Sequence, residues 1–336
     1  MIIDTHAHVT GPAALYAFSR ELQASQGPFR PSRPELSDEQ IHESLKDHLA
    51  EVGGAGTELQ LISPRPWAVP TGDRREALGL AVTRAANDMI ASTVRLYPDR
   101  FRGMAALPQS PAVGLKHSVE ELDRCVNELG FVGCKINPDP GEGSTEMPGM
   151  GDEYWYPLYE KMVELDVPAL IHGGPFRFSR EPELGYFITE QTVAAFAILR
   201  SRVFKDFPNL KIIVGHGGGY VPYQVGRARA FRLNERNRTG EDLESFDESM
   251  RRLYYDTVLY NQESLELLIK VVGVERCLFG SDKPANGSVR DPATGRALND
   301  IKTLLEAIPW LSDTDRGRIY EGNALEVFSR LGASVR

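Results

Sequence analysis

Eight short segments rich in apolar and β-branched residues recur along this chain of 336 residues, at positions 2–9, 58–63, 101–107, 131–137, 167–172, 211–216, 253–258 and 275–281. Most are separated by stretches whose apolar residues fall at helical spacing, such as 38–52, 76–96, 119–129 and 152–165. Eight strands alternating with helices predict a parallel sheet closed into a (β/α)8 TIM barrel, because each parallel step needs a crossover helix. Ser37 followed by Gln40 has the spacing of a capping box and marks one helix start. No internal repeat or low-complexity tract breaks the pattern, so residues 1–336 are expected to form a single domain.

Loops at the carboxyl ends of the strands build the active site of such a barrel, and polar residues stand there in a pattern. The first segment ends in Asp4-Thr-His6-Ala-His8. Strand residues two apart share a face, so the two imidazoles project together. His172 closes the fifth segment, His216 the sixth, and Asp282 follows the eighth, each meeting glycine or a turn. Three neutral nitrogens from His6, His8 and His172 with a carboxylate from Asp282 make a ligand set for one divalent metal ion. Zinc is the expected ion, with manganese or iron as alternatives. It would keep a place for water and lower that water's pKa towards ~7. His216 is then assigned, with Asp282, to catalysis: orienting or deprotonating the water, or exchanging a proton with substrate.

Arg65 follows the second segment in Ile62-Ser-Pro-Arg65-Pro-Trp67, and its planar fork suits a substrate carboxylate. Lys135, on the fourth segment, is the second candidate for binding carboxylate, capping of the barrel end being the alternative. Asp256 is expected to hold His216 in orientation or to cap the barrel end, and Asp4 to hold a neighbouring backbone group or histidine. Arg177, Arg227 and Arg290 are weaker candidates. Four loops, 10–36, 139–151, 173–186 and 283–299, are long and rich in proline, glycine or charge, as expected over a covered small-molecule pocket.

A formal net charge of −9 argues against a nucleic-acid partner, though it leaves room for a small anionic substrate in a locally positive pocket. No run approaches the roughly 20 apolar residues of a membrane span. The first strand begins at Met1, which leaves no room for a cleaved leader, and the three cysteines lack C-x-x-C spacing. A reduced, cytoplasmic protein is expected.

The D-x-H-x-H opening, the histidines ending the fifth and sixth strands and the aspartate after the eighth resemble the amidohydrolase superfamily across essentially the whole chain. Residues 124–134, 137–141, 155–165, 216–223 and 291–295 resemble more closely the branch of aminocarboxymuconate-semialdehyde decarboxylases and 4-oxalomesaconate hydratases, the hydratases being nearest in wording. That branch implies one metal and often a homodimer. Lys135 stands where some superfamily members carry a carboxylated lysine bridging two metals. Asp282 occupies a position where the hydratases have glutamate, and Phe187 that of a hydratase tyrosine acid, with Tyr186 adjacent. The loop 173–178 also differs. The resemblance therefore implies a metal-dependent lyase of aromatic-compound degradation, acting on a small unsaturated or aromatic polycarboxylate. Decarboxylation is the favoured expectation, hydration of a carbon–carbon double bond the alternative, and hydrolysis of a lactone or amide the third.

Overall fold

The computed structural model describes residues 1–25, 33–54, 56–69, 75–111, 113–141, 147–174, 183–242 and 244–332. Eight strands, β1 (Ile3–Val9), β2 (Leu59–Pro64), β3 (Phe101–Ala106), β4 (Gly133–Ile136), β5 (Ala169–Ile171), β6 (Ile212–Val214), β7 (Tyr254–Asp256) and β8 (Cys277–Leu278), lie in one sheet in chain order. All seven successive pairings are parallel. The sheet then closes on itself. The Thr5 amide donates to the Phe279 carbonyl at 2.8 Å, the Asp282 amide to the His6 carbonyl at 2.8 Å, and Ala7 bridges Lys283 in parallel. This is a TIM barrel.

The later strands are shorter than their apolar segments, because the ladder thins before it ends. The amides of His172 and Gly215 still donate to Ile136 and Ile171 at 3.0 and 3.2 Å, after which the chain turns out over the rim. Helices α1 (Ala13–Ala24), α2 (Asp38–Gly54), α3 (Glu76–Leu96), α4 (Lys116–Asn127), α5 (Tyr156–Leu165) and α6 (Glu183–Arg200) cover the first five steps, α1 and α2 sharing the first. The capping box forms at the start of α2: the Gln40 amide donates to Ser37 Oγ and the Ser37 amide to Gln40 Oε1. Two stretches expected as loops are partly helical. In 10–36, Leu15 and Phe18 give α1 a buried face behind Pro12. In 173–186, α6 already begins at Glu183.

The core divides in two. The larger part packs the outer face of the strands against the helices, with Trp155, Tyr159 and Phe101 among its largest members. The smaller part fills the barrel with Ile3, Leu61, Met104, Leu170, Ile213 and Leu278, closed by Val327, Phe328 and Leu331. Asn323 anchors that closure by donating to the Val274 and Cys277 carbonyls at 2.8 and 2.7 Å, at the start of β8. The opposite mouth is left to polar residues. Beside it, buried Glu121 of α4 accepts hydrogen bonds from Arg84 and Asn87 of α3 and from Arg124, and Asn87 in turn pairs with the Ala106 backbone at the end of β3. No helix among the described residues is long and apolar enough to cross a membrane.

Candidate metal centre and active site

β1 brings His6 and His8 inward through an irregularity. Asp4 pairs with Gln60 and Ala7 with Ile62, so three residues of β1 advance against two of β2. Strict alternation from the inward Ile3 would send Thr5 and Ala7 into the barrel. The extra residue reverses the phase: Ala7 and Val9 join the outer core, and His6 and His8 meet at the mouth with their rings 5.2 Å apart. Asp4 lies on the outer side. It accepts from the Ser281 hydroxyl at 2.5 Å and from Gln60, whose carbonyl is paired with His48 of α2. Its role is to tie β1 to the segment after β8, while burial pushes its carboxyl above the usual range.

His172 stands directly after β5, and its ring lies 5.0 Å from that of His6. His216 and Asp282 follow β6 and β8 with backbone φ of 51° and 55°. This left-handed conformation costs a non-glycine residue about 1–3 kcal/mol, an expense concentrated at functional sites. It places His216 Nε2 3.8 Å from Asp282 Oδ2.

The donor atoms of His6, His8, His172 and Asp282 all lie within 4.8 Å of one another. The remaining nitrogen of each ring is engaged. His6 Nδ1 is 2.6 Å from Asp256 Oδ2, His8 Nδ1 2.9 Å from Ser63 Oγ, and His172 Nδ1 2.7 Å from the Gly173 carbonyl. A carboxylate or carbonyl can only accept, so His6 and His172 carry their protons on Nδ1 and turn lone pairs at Nε2 to the centre. There the Nε2 atoms of His8 and His172 are 3.3 Å apart, and those of His8 and His6 are 3.4 and 3.7 Å from Asp282 Oδ1. Buried His6 Nε2 has no hydrogen-bond partner. Facing lone pairs repel unless a cation lies between them. Edges of roughly 3.4 Å are those of a tetrahedron with metal–ligand bonds near 2.1 Å. The four residues fit a divalent ion, and three imidazoles with one carboxylate suit zinc, manganese or iron alike.

Electrostatics favour the neutral, metal-binding form at two of the three rings. Burial, helped by the cations and imidazoles around them, pushes His8 and His172 well below the usual histidine range. Neutral imidazole is the form that binds metal. Burial also acts against the charge on His6, but Asp256, Asp282 and Asp4 outweigh it and raise the ring above its ordinary value. Asp256 is correspondingly held low despite its own burial.

Of its two expected roles, orienting His216 or capping the barrel end, Asp256 takes the second, and one of its oxygens holds His6. Its second oxygen accepts from the Gly217 and Val258 amides, which leaves none for His216. Gln191 of α6 has that place, its amide within 2.9–3.0 Å of His216 Nδ1. No local pattern marks Gln191, which lies 25 residues before its partner.

Arg65 and Lys135 lie beside the centre. Arg65 is buried, its Nε donating to Thr10 Oγ1 at 3.2 Å and its guanidinium 5.1 Å from the Trp67 ring. Lys135 Nζ donates to the Pro64 carbonyl at 2.9 Å. Burial, together with the nearby Arg65 charge, lowers its pKa to about 7 although Asp282 opposes the shift. The phase of α6 separates the two adjacent aromatics: Phe187 packs edge-on to His172 at 5.7 Å, whereas the Tyr186 hydroxyl reaches Asp139 Oδ2 at 3.2 Å. Arg290 donates to the Gly295 carbonyl, and Arg227 lies over the exposed Phe231 ring. Arg177 lies outside the described residues.

A family model described as Amidohydrolase matches residues 3–330. The 2-keto-4-carboxy-3-hexenedioate hydratase of a Sphingobium species is 38% identical, over 100% of this chain and 98% of its own. The crystal structure of 4-oxalomesaconate hydratase from Rhodopseudomonas palustris superposes with a TM-score of 0.87 at 33% identity, covering 100% of this chain and 98% of that one. A gamma-resorcylate decarboxylase from a Rhizobium species is 30% identical over 82% of this chain and 83% of its own.

Proposed function

This chain belongs to the Amidohydrolase family as a lyase of its hydratase and decarboxylase branch, and from that premise we propose that it is a hydratase. Its substrate would be an unsaturated keto-polycarboxylate of the kind named in the two hydratases above. The observation that carries the choice is the end-to-end likeness to hydratases, in sequence and in backbone, against a shorter and weaker likeness to the decarboxylase. Hydration thus displaces decarboxylation as the favoured reaction.

His6, His8, His172 and Asp282 would hold one divalent ion. When bound, such an ion supplies Lewis acidity, towards water and towards a substrate oxygen. Asp282 Oδ1 faces the His6 and His8 nitrogens and Oδ2 faces His216, so one carboxylate serves both the ligand set and the proton-handling side. His216 Nε2 takes a proton from the adding water and returns one to the neighbouring carbon. The hydroxyl forms the new C–O bond, the alkene electron pair moves onto the conjugated ketone as enolate, and protonation at carbon restores the ketone. Arg65 and Lys135 bind the substrate carboxylates; an incoming anion favours the charged form of Lys135.

The test is direct. Metal-loaded protein given 2-keto-4-carboxy-3-hexenedioate should bleach the conjugated enone absorbance while the product gains the mass of one water and no carbon dioxide appears. Release of carbon dioxide from a dihydroxybenzoate, with the enone untouched, would return the assignment to decarboxylation.

A further inference from the structure

Four cations gather at the amino-terminal end of the barrel, opposite the metal centre. A cavity of about 520 Å³ opens there, with Asp166, Lys211, Arg251, Arg252, Tyr254 and Arg276 in its lining. Asp166 comes shortly before β5, Lys211 directly before β6 and Arg276 directly before β8, and Tyr254 opens β7. Four positive side chains against one acid run counter to a chain whose net charge is −9.

Two of the four are neutralised. Lys211 Nζ donates to Asp166 Oδ1 at 2.6 Å, and Arg252 holds Glu244 through a fork of two bonds at 3.0 and 2.8 Å. Arg251 and Arg276 have no such partner: among the described residues, neither side chain makes a hydrogen bond or an ion pair. The carboxylates that feel their charge, Asp247 and Glu326, are already held at 2.6 Å by Arg229 and Arg318. Arginine does not shed its proton, so the cavity keeps two uncompensated charges.

The surroundings of Arg276 show what would balance them. Its guanidinium lies 5.0 Å from the centre of the Tyr254 ring, and its buried Nε–H has no acceptor. Stacking occupies the face of the guanidinium and leaves its edge, where the N–H donors lie, for an oxyanion. Phe204 and Leu210, both buried, add apolar wall beside the Tyr254 ring.

We propose that this cavity binds a small organic dianion, its charges met by Arg251 and Arg276 and its apolar body by Tyr254, Phe204 and Leu210. The volume is that of a small-molecule site, with room beyond a bare inorganic ion. Dicarboxylates and phosphate monoesters share this chemistry. An occupant here touches none of the reacting groups, so its binding is independent of which reaction the enzyme runs.

Calorimetric titration of the metal-loaded full chain, at constant ionic strength in chloride, tests it with phthalate, phenyl phosphate and inorganic phosphate. Phthalate or phenyl phosphate should bind saturably with a Kd below about 1 mM, at least about tenfold tighter than inorganic phosphate, and the tighter of the two identifies the anionic group. Arg251→Gln and Arg276→Gln should each weaken that binding about tenfold or more. Arg251 is exposed, so its variant keeps the test decisive should Arg276→Gln fail to fold. Arg65→Ala, at the catalytic mouth, should leave the Kd within about twofold. The site is refuted if neither organic dianion binds, if inorganic phosphate binds as tightly, or if the Kd is unchanged in either glutamine variant. Loss of binding in Arg65→Ala refutes it too, because the anion would then sit at the metal centre.

Discussion

His6 Nδ1 lies 2.6 Å from Asp256 Oδ2 although the two residues sit on strands separated by β8, and the residue between them is Gly280. A Cβ at 280 would come within 3.0 Å of the Asp256 Cβ and 3.1 Å of the His6 Cβ. The pair thus depends on a strand segment with no side chain to intrude. Asp256 fixes the His6 tautomer and makes its Nε2 a better donor.

Asp256→Asn keeps the shape and removes the charge. Metal affinity should fall about 10–100-fold, the usual cost of losing the partner behind a metal-binding histidine. Competition with a chromophoric chelator measures it, and an unchanged dissociation constant would show that His6 is oriented by packing alone.

Asp282→Asn tests the opposite side of the centre. A carboxamide is a poor metal ligand and cannot carry the negative charge opposite His216 Nε2. Turnover should fall about 10²–10⁴-fold, the span typical for loss of proton-handling groups. Rates within twofold of wild type, on protein of verified metal content, would remove Asp282 from the mechanism.

The strand ends were legible in the sequence because the backbone there obeys local rules. An apolar run followed by glycine or a turn locates each rim position, and α3 occupies the very residues its periodicity marks, Glu76–Leu96. The features that stayed hidden depend on partners distant in the chain or on breaks in periodicity. The extra residue in β1 leaves no trace in Ile3–Val9, yet it decides that His6 and His8 share the interior with Ile3. Asp256 lies near both His6 and His216 in the fold, and only three-dimensional distances say that it serves His6 while Gln191 serves His216. The choice between Tyr186 and Phe187 turns on the helical phase of α6, whose first turn falls in a stretch of loop-like composition.

Arg65→Ala should raise KM about tenfold or more while kcat changes by less than about threefold, the signature of a group that binds ground and transition states alike. Steady-state kinetics on the proposed keto-polycarboxylate decide it. A fall in kcat at constant KM would place Arg65 at the developing enolate instead of at a spectator carboxylate.

Away from the chemistry, Glu121 governs how stability follows pH. Burial pushes its carboxyl up, but hydrogen bonds from Arg124, Asn87 and Arg84 outweigh that and hold it below the ordinary value of 4.5. A depressed folded pKa means that the unfolded chain binds more protons between the two values, so stability rises with pH through that window. The contribution is complete above about 4.5 and is lost as pH falls through the folded value. Glu121→Gln leaves two guanidiniums without their shared anion. Because Arg84 is 37% exposed, the cost near neutrality should be about 2–3 kcal/mol, below the 3–5 typical of a fully buried pair. Urea unfolding of both proteins should show that gap at pH ~7 and a smaller one as pH drops below ~4. A gap of constant size across the range would mean that the amide fails by shape, and that the carboxylate charge contributes nothing to holding α3 and α4 against the end of β3.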